Sequence, residues 1–342
     1  ARDPGPAPGR RLPLLDRVEI SIIEEQQPRW LSFLNGQQDF MERLAAEFVP
    51  IAVPNGRLAP NLAKLDIQVF RSLASDVTFT VYNMDHPVIG GYTPDKVALR
   101  RALNLASDVD KEIRLARKGQ AIPAQSALMP NTFGYDPGYK SENSEFSLAK
   151  ARALLDMYGY VDKDGDGWRD QPDGTPLLIE FASQPDQQSR QLDELVRKDL
   201  ANVGVRTAFK PAKWPENLKN ARAGKLMVWR VATSAASPDG GGNFSRGYSG
   251  HVGGQNLSRF RNAEYDRIYD EMGVIPDGPE RLELFTQAKK ILVAYAPYKN
   301  GVHRIHTDLA WPWLIGYRRP SYWNEWWAYV DIDRAELAKA TR

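Results

Sequence analysis

The middle of this chain alternates strand, helix, strand, helix, strand, and that order constrains the fold more than any other feature. Leu177, Leu178, Ile179 and Phe181 form an apolar strand. Leu192, Leu195, Val196 and Leu200 then recur at helical spacing until Gly204 stops them. A second strand covers residues 205–209, Pro215 opens a short helix that Gly224 ends, and a third strand covers 226–231. Such alternation predicts a parallel sheet with right-handed crossovers, because a helix must carry the chain back before the next strand can run in the same direction. With 342 residues the chain also exceeds the ~250–300 at which a single core stops growing, so two domains are expected.

Around that unit the periodicity predicts further elements. Apolar residues alternate with polar ones over 18–23 and over 77–82, the pattern of half-buried strands, and 28–44 reads as helical. Thr93 can cap a helix that Pro94 opens and Asp95 complements. Ala98, Ala102, Leu105, Ala106, Val109 and Ile113 form its apolar stripe, with Arg100 and Arg101 off it. Residues 121–145, rich in Pro, Gly, Asn and Ser, read as an ordered surface loop. Helices are expected from Ser147 to Gly159 and over 262–272 and 279–295. The Pro- and Gly-dense lead-in over 2–11 reads as extended. Five of the nine tryptophans, Trp311, Trp313, Trp323, Trp326 and Trp327, crowd the tail, and packing is their expected use.

Several functional classes fall away on composition. Lys+Arg number 45 against 43 Asp+Glu, a balance that gives nucleic acid no electrostatic foothold. Cysteine is absent, which excludes disulfides, thiol nucleophiles and thiolate metal sites. No apolar run reaches the ~18 residues of a membrane span, and the start of the chain shows no export-signal pattern.

Open parallel sheets take ligands beyond the carboxyl ends of their strands. That rule points to Ser183 and Gln184 after one strand and to Ala232, Thr233 and Ser234 after another. The loop that follows carries Pro238, Asp239, Gly240, Gly241, Gly242, Phe244, Arg246, Tyr248 and His251. It can wrap a ligand or lie as a mobile surface loop. No Lys-Ser/Thr follows the glycines, so a phosphate loop is not indicated. Asp162, Asp164, Asp166, Asp170 and Asp173 fall at the oxygen-ligand spacing of a twelve-residue calcium loop with Gly167 at the turn. Pro172 and a following strand take the place of the exiting helix, so a tight acidic turn is the plainer reading and calcium stays open. His303 and His306 read as strand residues on opposite faces, which disfavours a shared metal. The adjacent Glu24 and Glu25 would likewise point apart on a strand, and no catalytic set, cofactor or metal site emerges.

Taken in order, several stretches resemble the family 5 extracellular solute-binding proteins of bacterial ABC transporters, the group of the periplasmic peptide-binding proteins. They are 14–23 (LLDRVEISII) with 33–39 (FLNGQQD), 81–84 (VYNM), 100–108 (RRALNLASD), 164–170 (DGDGWRD), 227–229 (MVW) and the helix end at 288–297. The resemblance implies an α/β, two-lobed periplasmic-binding-protein-like (type II) fold that closes on a ligand in an interlobe cleft. It places the outward crossing at Val81, Tyr82 and Asn83 and the return near 298–304. Residues 1–86 and 298–342 would then form a partial lobe I and 87–297 lobe II, with the chain read as a carboxy-terminal portion lacking part of the first lobe.

The function so implied is the substrate-binding component of an ABC importer, a periplasmic protein and not an enzyme. It would hand a peptide-like or other polar organic solute to a membrane permease. The residues expected to meet ligand are Trp229 as a stacking wall, Thr233, Ser234 and Asp239 as polar contacts, and Tyr82 and Asn83 at the hinge side. Peptide-binding members usually carry an Asp shortly after the Trp matched by Trp229. Here Ala232, Thr233 and Ser234 stand instead, which disfavours free-amino peptides unless Asp239 substitutes. The alternative reading is a carboxylate-dependent hydrolase on the same scaffold. An incomplete first lobe would also leave edges exposed and favour self-association.

Overall fold

A computed structural model describes residues 9–323 and 325–340, so the lead-in predicted over 2–11 lies outside the described residues as far as residue 8. The chain begins with α1 (Gln26–Leu34), β1 (Phe40–Met41), α2 (Val49–Ala52), α3 (Pro60–Ala63), β2 (Gln68–Leu73) and β3 (Asp76–Tyr82). It continues with α4 (Pro94–Ala106), α5 (Val109–Leu115), β4 (Ala121–Pro123), α6 (Leu148–Met157), β5 (Leu178–Ser183), α7 (Gln187–Ala201), β6 (Arg206–Pro211), α8 (Trp214–Arg222) and β7 (Val228–Ser234). The last elements are α9 (Ala263–Met272), α10 (Pro279–Tyr295), β8 (Tyr298–Ala310), β9 (Leu314–Ile315), β10 (Asp331–Ile332) and α11 (Arg334–Ala340).

Two compact units result: residues 1–74, 117–121 and 304–342 form the first, and 75–116 and 122–303 the second. Residues 75–86 and 298–303, expected in the first lobe, fall in the second unit, because β3 and the first part of β8 are ladder strands of its sheet.

In the second unit the expected β-α-β-α-β order is β5-α7-β6-α8-β7, and β5 pairs in parallel with both β6 and β7. β3 joins the other side of β7 antiparallel, and the start of β8 pairs antiparallel with β3. Successive strand residues serve opposite faces. Phe181 and Val228 pack with Leu99, Leu103, Leu155 and Leu200 from α4, α6 and α7, whereas Ala182 and Trp229 pack with Ala221 of α8. Helices α9 and α10 close a separate core through Tyr265, Ile268, Leu284, Phe285 and Ala288.

The long stripe expected through Ile113 is two helices. Ser107 turns back to donate to Leu103 O at 2.8 Å, and Asp108 accepts from Lys111 N at 2.9 Å as the cap of α5. Side chains that bond their own backbone in this way compete with helix continuation.

Arg100, expected off the apolar stripe, is instead fully buried. Its guanidinium donates to Ile89 O at 2.8 Å and to Tyr295 O at 2.8 Å, so it ties α4 to the last turn of α10. Burial lowers its pKa to about 10, with the Tyr82, Tyr92 and Tyr160 phenols and Asp95 acting against that shift, so the charge persists at neutral pH. Arg100→Met keeps the stem and leaves two buried carbonyls without a donor. Loss of about 2–4 kcal/mol from the second unit is expected in urea unfolding, and a loss below about 0.5 kcal/mol would contradict this role.

The first unit is built on the second part of β8, which pairs antiparallel with β2 from Ile305 opposite Leu73 to Ala310 opposite Gln68, and with β1 at its end. Trp30, Phe33, Leu44, Val49, Leu62 and Leu309 form one core. The tail supplies much of the rest. Trp311 stacks on Trp313 with centroids 5.0 Å apart, and Trp326 lies 4.4 Å from Phe40 and 4.9 Å from Tyr317. The strand expected at 18–23 does not form: Ile20 is 72% and Ile22 89% exposed, and no ladder partner is paired with this stretch among the described residues. Alternation supplies only the faces of a strand; the hydrogen-bonded neighbour must come from elsewhere in the fold.

Candidate functional site

The end of the second unit's sheet at which β3 enters and β8 leaves carries several polar side chains. Here β7 finishes, with Thr233 opposite Val77 and Ser234 opposite Asp76. Ala235 N continues the ladder to Ser75 O at 2.8 Å, and Asn131 Nδ2 donates to Ser75 Oγ at 3.0 Å. Thr233 is half-buried and Ser234 exposed, on successive positions at the rim where the strand ends.

Behind that rim lies His303. Its Nδ1 donates to Asp76 O at 2.6 Å, which fixes the tautomer, and Tyr135 meets the ring edge-on at 5.5 Å. Burial lowers the imidazole pKa, the Asp76 carbonyl bond opposing it, so the ring is neutral at physiological pH. A pocket of about 160 Å³ opens beside it, lined by Gln125, Ser126, Tyr135, Asp136, Lys140 and His303 among others. That volume is below the ~300–1,000 Å³ of pockets that enclose a drug-sized ligand.

The six residues expected to meet ligand divide by partner. Thr233 and Ser234 both lie at the end of β7, at successive positions that face opposite sides of the sheet. Tyr82 is buried, with its hydroxyl donating to Asn104 Oδ1 at 2.8 Å, and burial raises its pKa. Asn83 is buried as well: its Nδ2 donates to Gly224 O and Leu226 O, each at 2.9 Å, and its Oδ1 accepts from Asp85 N at 3.0 Å. Trp229 lies in the core beside Ala182 and Ala221. Asp239 is half exposed, but its Oδ1 accepts from Gly241 N at 2.8 Å and pairs with Arg281 Nη1 at 2.9 Å. One of its two carboxylate oxygens is thereby committed to the loop's own structure.

The glycine-rich loop is packed rather than draped. Residues Gly241–Gly247 form a 3-10 helix that buries Asn243, Phe244 and Arg246. A Cβ on Gly240 would meet Phe133 O at 1.9 Å, and one on Gly247 would meet the Tyr265 ring at 2.4 Å. These glycines serve close approach of the backbone to its neighbours. The acidic turn is equally self-contained: Asp162 accepts from Gly165 N and Gly167 N, Asp170 is buried and accepts from Lys163 N, and Asp173 accepts from Thr175. Asp162, Asp164 and Asp166 do gather their carboxylates within 4.8 Å, all exposed, and Asp166 pairs with Arg206.

Sequence reasoning passed over a buried charged group under the same sheet. Lys299 donates to Asn104 O and Ser107 O, Arg230 pairs with Glu112 at 3.1 Å, and Asp199 pairs with Lys111. Burial lowers the Lys299 pKa to about 8, with Glu112 acting against that shift. Lys299 and Arg230 sit singly in strands, so no spacing pattern marks them.

This architecture matches solved structures of solute-binding proteins. The oligopeptide-binding protein AppA from Bacillus subtilis, solved with a nonapeptide, superposes with a TM-score of 0.78 over 92% of this chain and 60% of its own, at 17% identity. The fold is thus that of the two-lobed α/β periplasmic binding proteins. Residues 8–255 match the model of the bacterial extracellular solute-binding proteins, family 5 Middle, and the chain belongs to that family. It is 26% identical over 326 residues to heme-binding protein A of Haemophilus influenzae, covering 93% of this chain and 54% of that protein. It is 24% identical over 228 residues to di/tripeptide-binding protein 2 of Pseudomonas aeruginosa, covering 66% of this chain and 40% of that protein. The chain therefore spans about half the length of the curated relatives it matches. Among the described residues no helix is long and apolar enough to cross a membrane.

Proposed function

We propose that this chain is the solute-binding part of an ABC importer, working outside the cytoplasm to hold a peptide-like or other polar organic solute and deliver it to a membrane permease. The family match over residues 8–255 carries the reading, and the relatives named for binding di- and tripeptides support the solute class. No bond of the solute changes in this role. Binding energy goes into stabilising the liganded conformation that a permease recognises. The matched family and relatives are named for binding, which leaves the hydrolase alternative without support.

In this reading Thr233 and Ser234 meet the solute at the β7 rim. Tyr82, Asn83 and Trp229 lie at the other end of the β3–β7 ladder, where Tyr82 stands opposite Val228 and Val81 opposite Trp229, and their part is to fix that ladder rather than to meet the solute. Asp239 already has one oxygen engaged by Arg281 and Gly241 N, which weakens it as a partner for an ammonium group, and Ala232 offers none. Solutes whose amino end is blocked are accordingly favoured over free-amino peptides.

The test is to incubate the chain with a pool of free and N-acylated di- and tripeptides, re-isolate it, and identify what it holds by mass spectrometry after denaturation. An unaltered solute is expected, N-acylated in preference to free. Products that accumulate with time would point to catalysis instead. The double substitution Thr233→Val with Ser234→Ala is expected to weaken binding about tenfold, from about 0.5–1.5 kcal/mol per hydrogen bond. Unchanged affinity by calorimetry would remove these two hydroxyls from the site.

A further inference from the structure

A second cavity in the same unit combines features that the solute-binding role does not use. It has a volume of about 30 Å³ and adjoins the His303 pocket through Gln125 and Ser126, which line both. Two cationic side chains, Arg246 and Lys289, line it together with the neutral Gln125, Tyr139 and Asn243, and no carboxylate is among its lining residues.

Arg246 is the unusual member. It is buried, lies with its guanidinium carbon 4.4 Å over the Phe79 ring, and donates through Nε to Asn243 O at 3.3 Å and through Nη2 to Ala127 O at 2.8 Å. Those contacts hold it in place without neutralising it. Burial pushes its pKa down, and the groups opposing that are the phenols of Tyr298 and Tyr265, which carry no charge at neutral pH. Lys289 is half-buried with its ammonium 4.2 Å from the Tyr139 ring centroid, and no ion pair joins it to a carboxylate among the described residues. A buried cation with no anionic partner is costly, and Arg246 is such a group; Lys289 is half-buried, and the negative charge of Asp136 partly offsets the burial that lowers its pKa. Gln125 adds a donor: its Oε1 is taken by Ser141 N at 2.9 Å, which leaves the amide Nε2 at the cavity.

We infer that this cavity is an anion-binding site for a small carboxylate, held by Arg246 and Lys289 with an amide donor from Gln125. The free space of about 30 Å³ exceeds the ~10–15 Å³ that a single water needs on the same measure, so it has room for about two oxygen-sized atoms, which suits the two oxygens of a carboxylate better than the four of a tetrahedral oxyanion. Two single positive charges with an amide donor also suit a carboxylate, whose two oxygens accept charge-assisted hydrogen bonds. The inference does not depend on the transport reading, since it rests on charge and space inside one unit.

Sodium acetate titrated into the whole chain at fixed ionic strength tests it by calorimetry, with acetamide and inorganic phosphate as comparison probes. One acetate per chain is expected to bind saturably, tighter than phosphate, with no binding of acetamide. Lys289→Gln is expected to weaken acetate about tenfold, and Arg246→Gln to abolish it. Should Arg246→Gln fail to fold, Lys289→Gln alone decides. No acetate binding, equal binding of acetamide, a preference for phosphate, or acetate affinity unchanged in Lys289→Gln would each overturn the assignment.

Discussion

Replacing Asp308 with alanine is expected to cost the first unit about 3–5 kcal/mol, the usual result of stranding a buried charge. Asp308 is buried in β8, and its two carboxylate oxygens serve four donors. Arg319 reaches it through Nε and Nη2 at 2.6 Å each, Tyr317 through its hydroxyl at 2.7 Å, and Arg43 through its backbone N at 2.8 Å. Burial works against the Arg319 charge, yet hydrogen bonding to Asp308 and the negative charges of Asp308 and Glu42 together outweigh it and the pKa is raised. In the Asp308→Ala chain that guanidinium keeps its charge and loses its main partner. Glu42, at 3.1 Å and more exposed, replaces only part of it.

The same cluster docks the aromatic tail, because Tyr317 packs against Phe40, Phe70 and Trp326. Urea unfolding followed by tryptophan fluorescence reads the loss directly, since Trp311, Trp313 and Trp326 belong to this unit. Adding Arg319→Leu to Asp308→Ala should return part of the lost stability, because no stranded cation then remains. A loss below about 1 kcal/mol in the single substitution would show that the pair is not what holds the tail.

The second large effect is acid sensitivity centred on His306. This ring lies in β8 opposite Ser72 and is buried, and its pKa falls from the ordinary 6.5 to about 2. Burial is the main cause, with the positive charges of Arg43, Arg319 and Arg304 adding to it. The folded chain keeps the imidazole neutral while the unfolded chain takes a proton below about pH 6.5, so the unfolded state binds more protons and stability falls as pH falls. The slope is about 1.4 kcal/mol per pH unit, and between about pH 6.5 and 4.5 the first unit should lose about 2–3 kcal/mol through this group.

His303 shifts in the same direction and adds the same sign of dependence to the second unit. Unfolding free energies at several pH values, for the wild-type chain and for His306→Gln, separate the contribution. The variant should lose about one proton's worth of slope over that range, and parallel pH profiles would sink the idea.

Local pattern explains what could be read before any coordinates. Helix α4 was legible from Thr93, Pro94 and its apolar stripe, and β5, β6 and β7 from short apolar runs bounded by Gly and Pro. Their parallel pairing was legible from the helices between them. Spacing of these kinds acts over a few residues, and it is written in the chain. The site was less legible. Thr233 and Ser234 could be named because strand ends are where open sheets present polar groups. Asp239 looked equally available, yet Arg281, forty-two residues further along, takes one oxygen of its carboxylate. No local signal announces such a partner.

Element order, the near balance of charge, the absence of cysteine and the family itself are properties of the amino-acid sequence, set by composition and short-range periodicity. Tertiary structure alone decided that Arg100 is buried against Tyr295, that residues 18–23 form no strand, that Gly240 and Gly247 serve packing, and that Arg246 lies among neutral partners. Each of those outcomes turns on desolvation and on which group from a distant segment arrives as neighbour, and the free energy of burying a polar or charged side chain depends on that neighbour more than on the residue type.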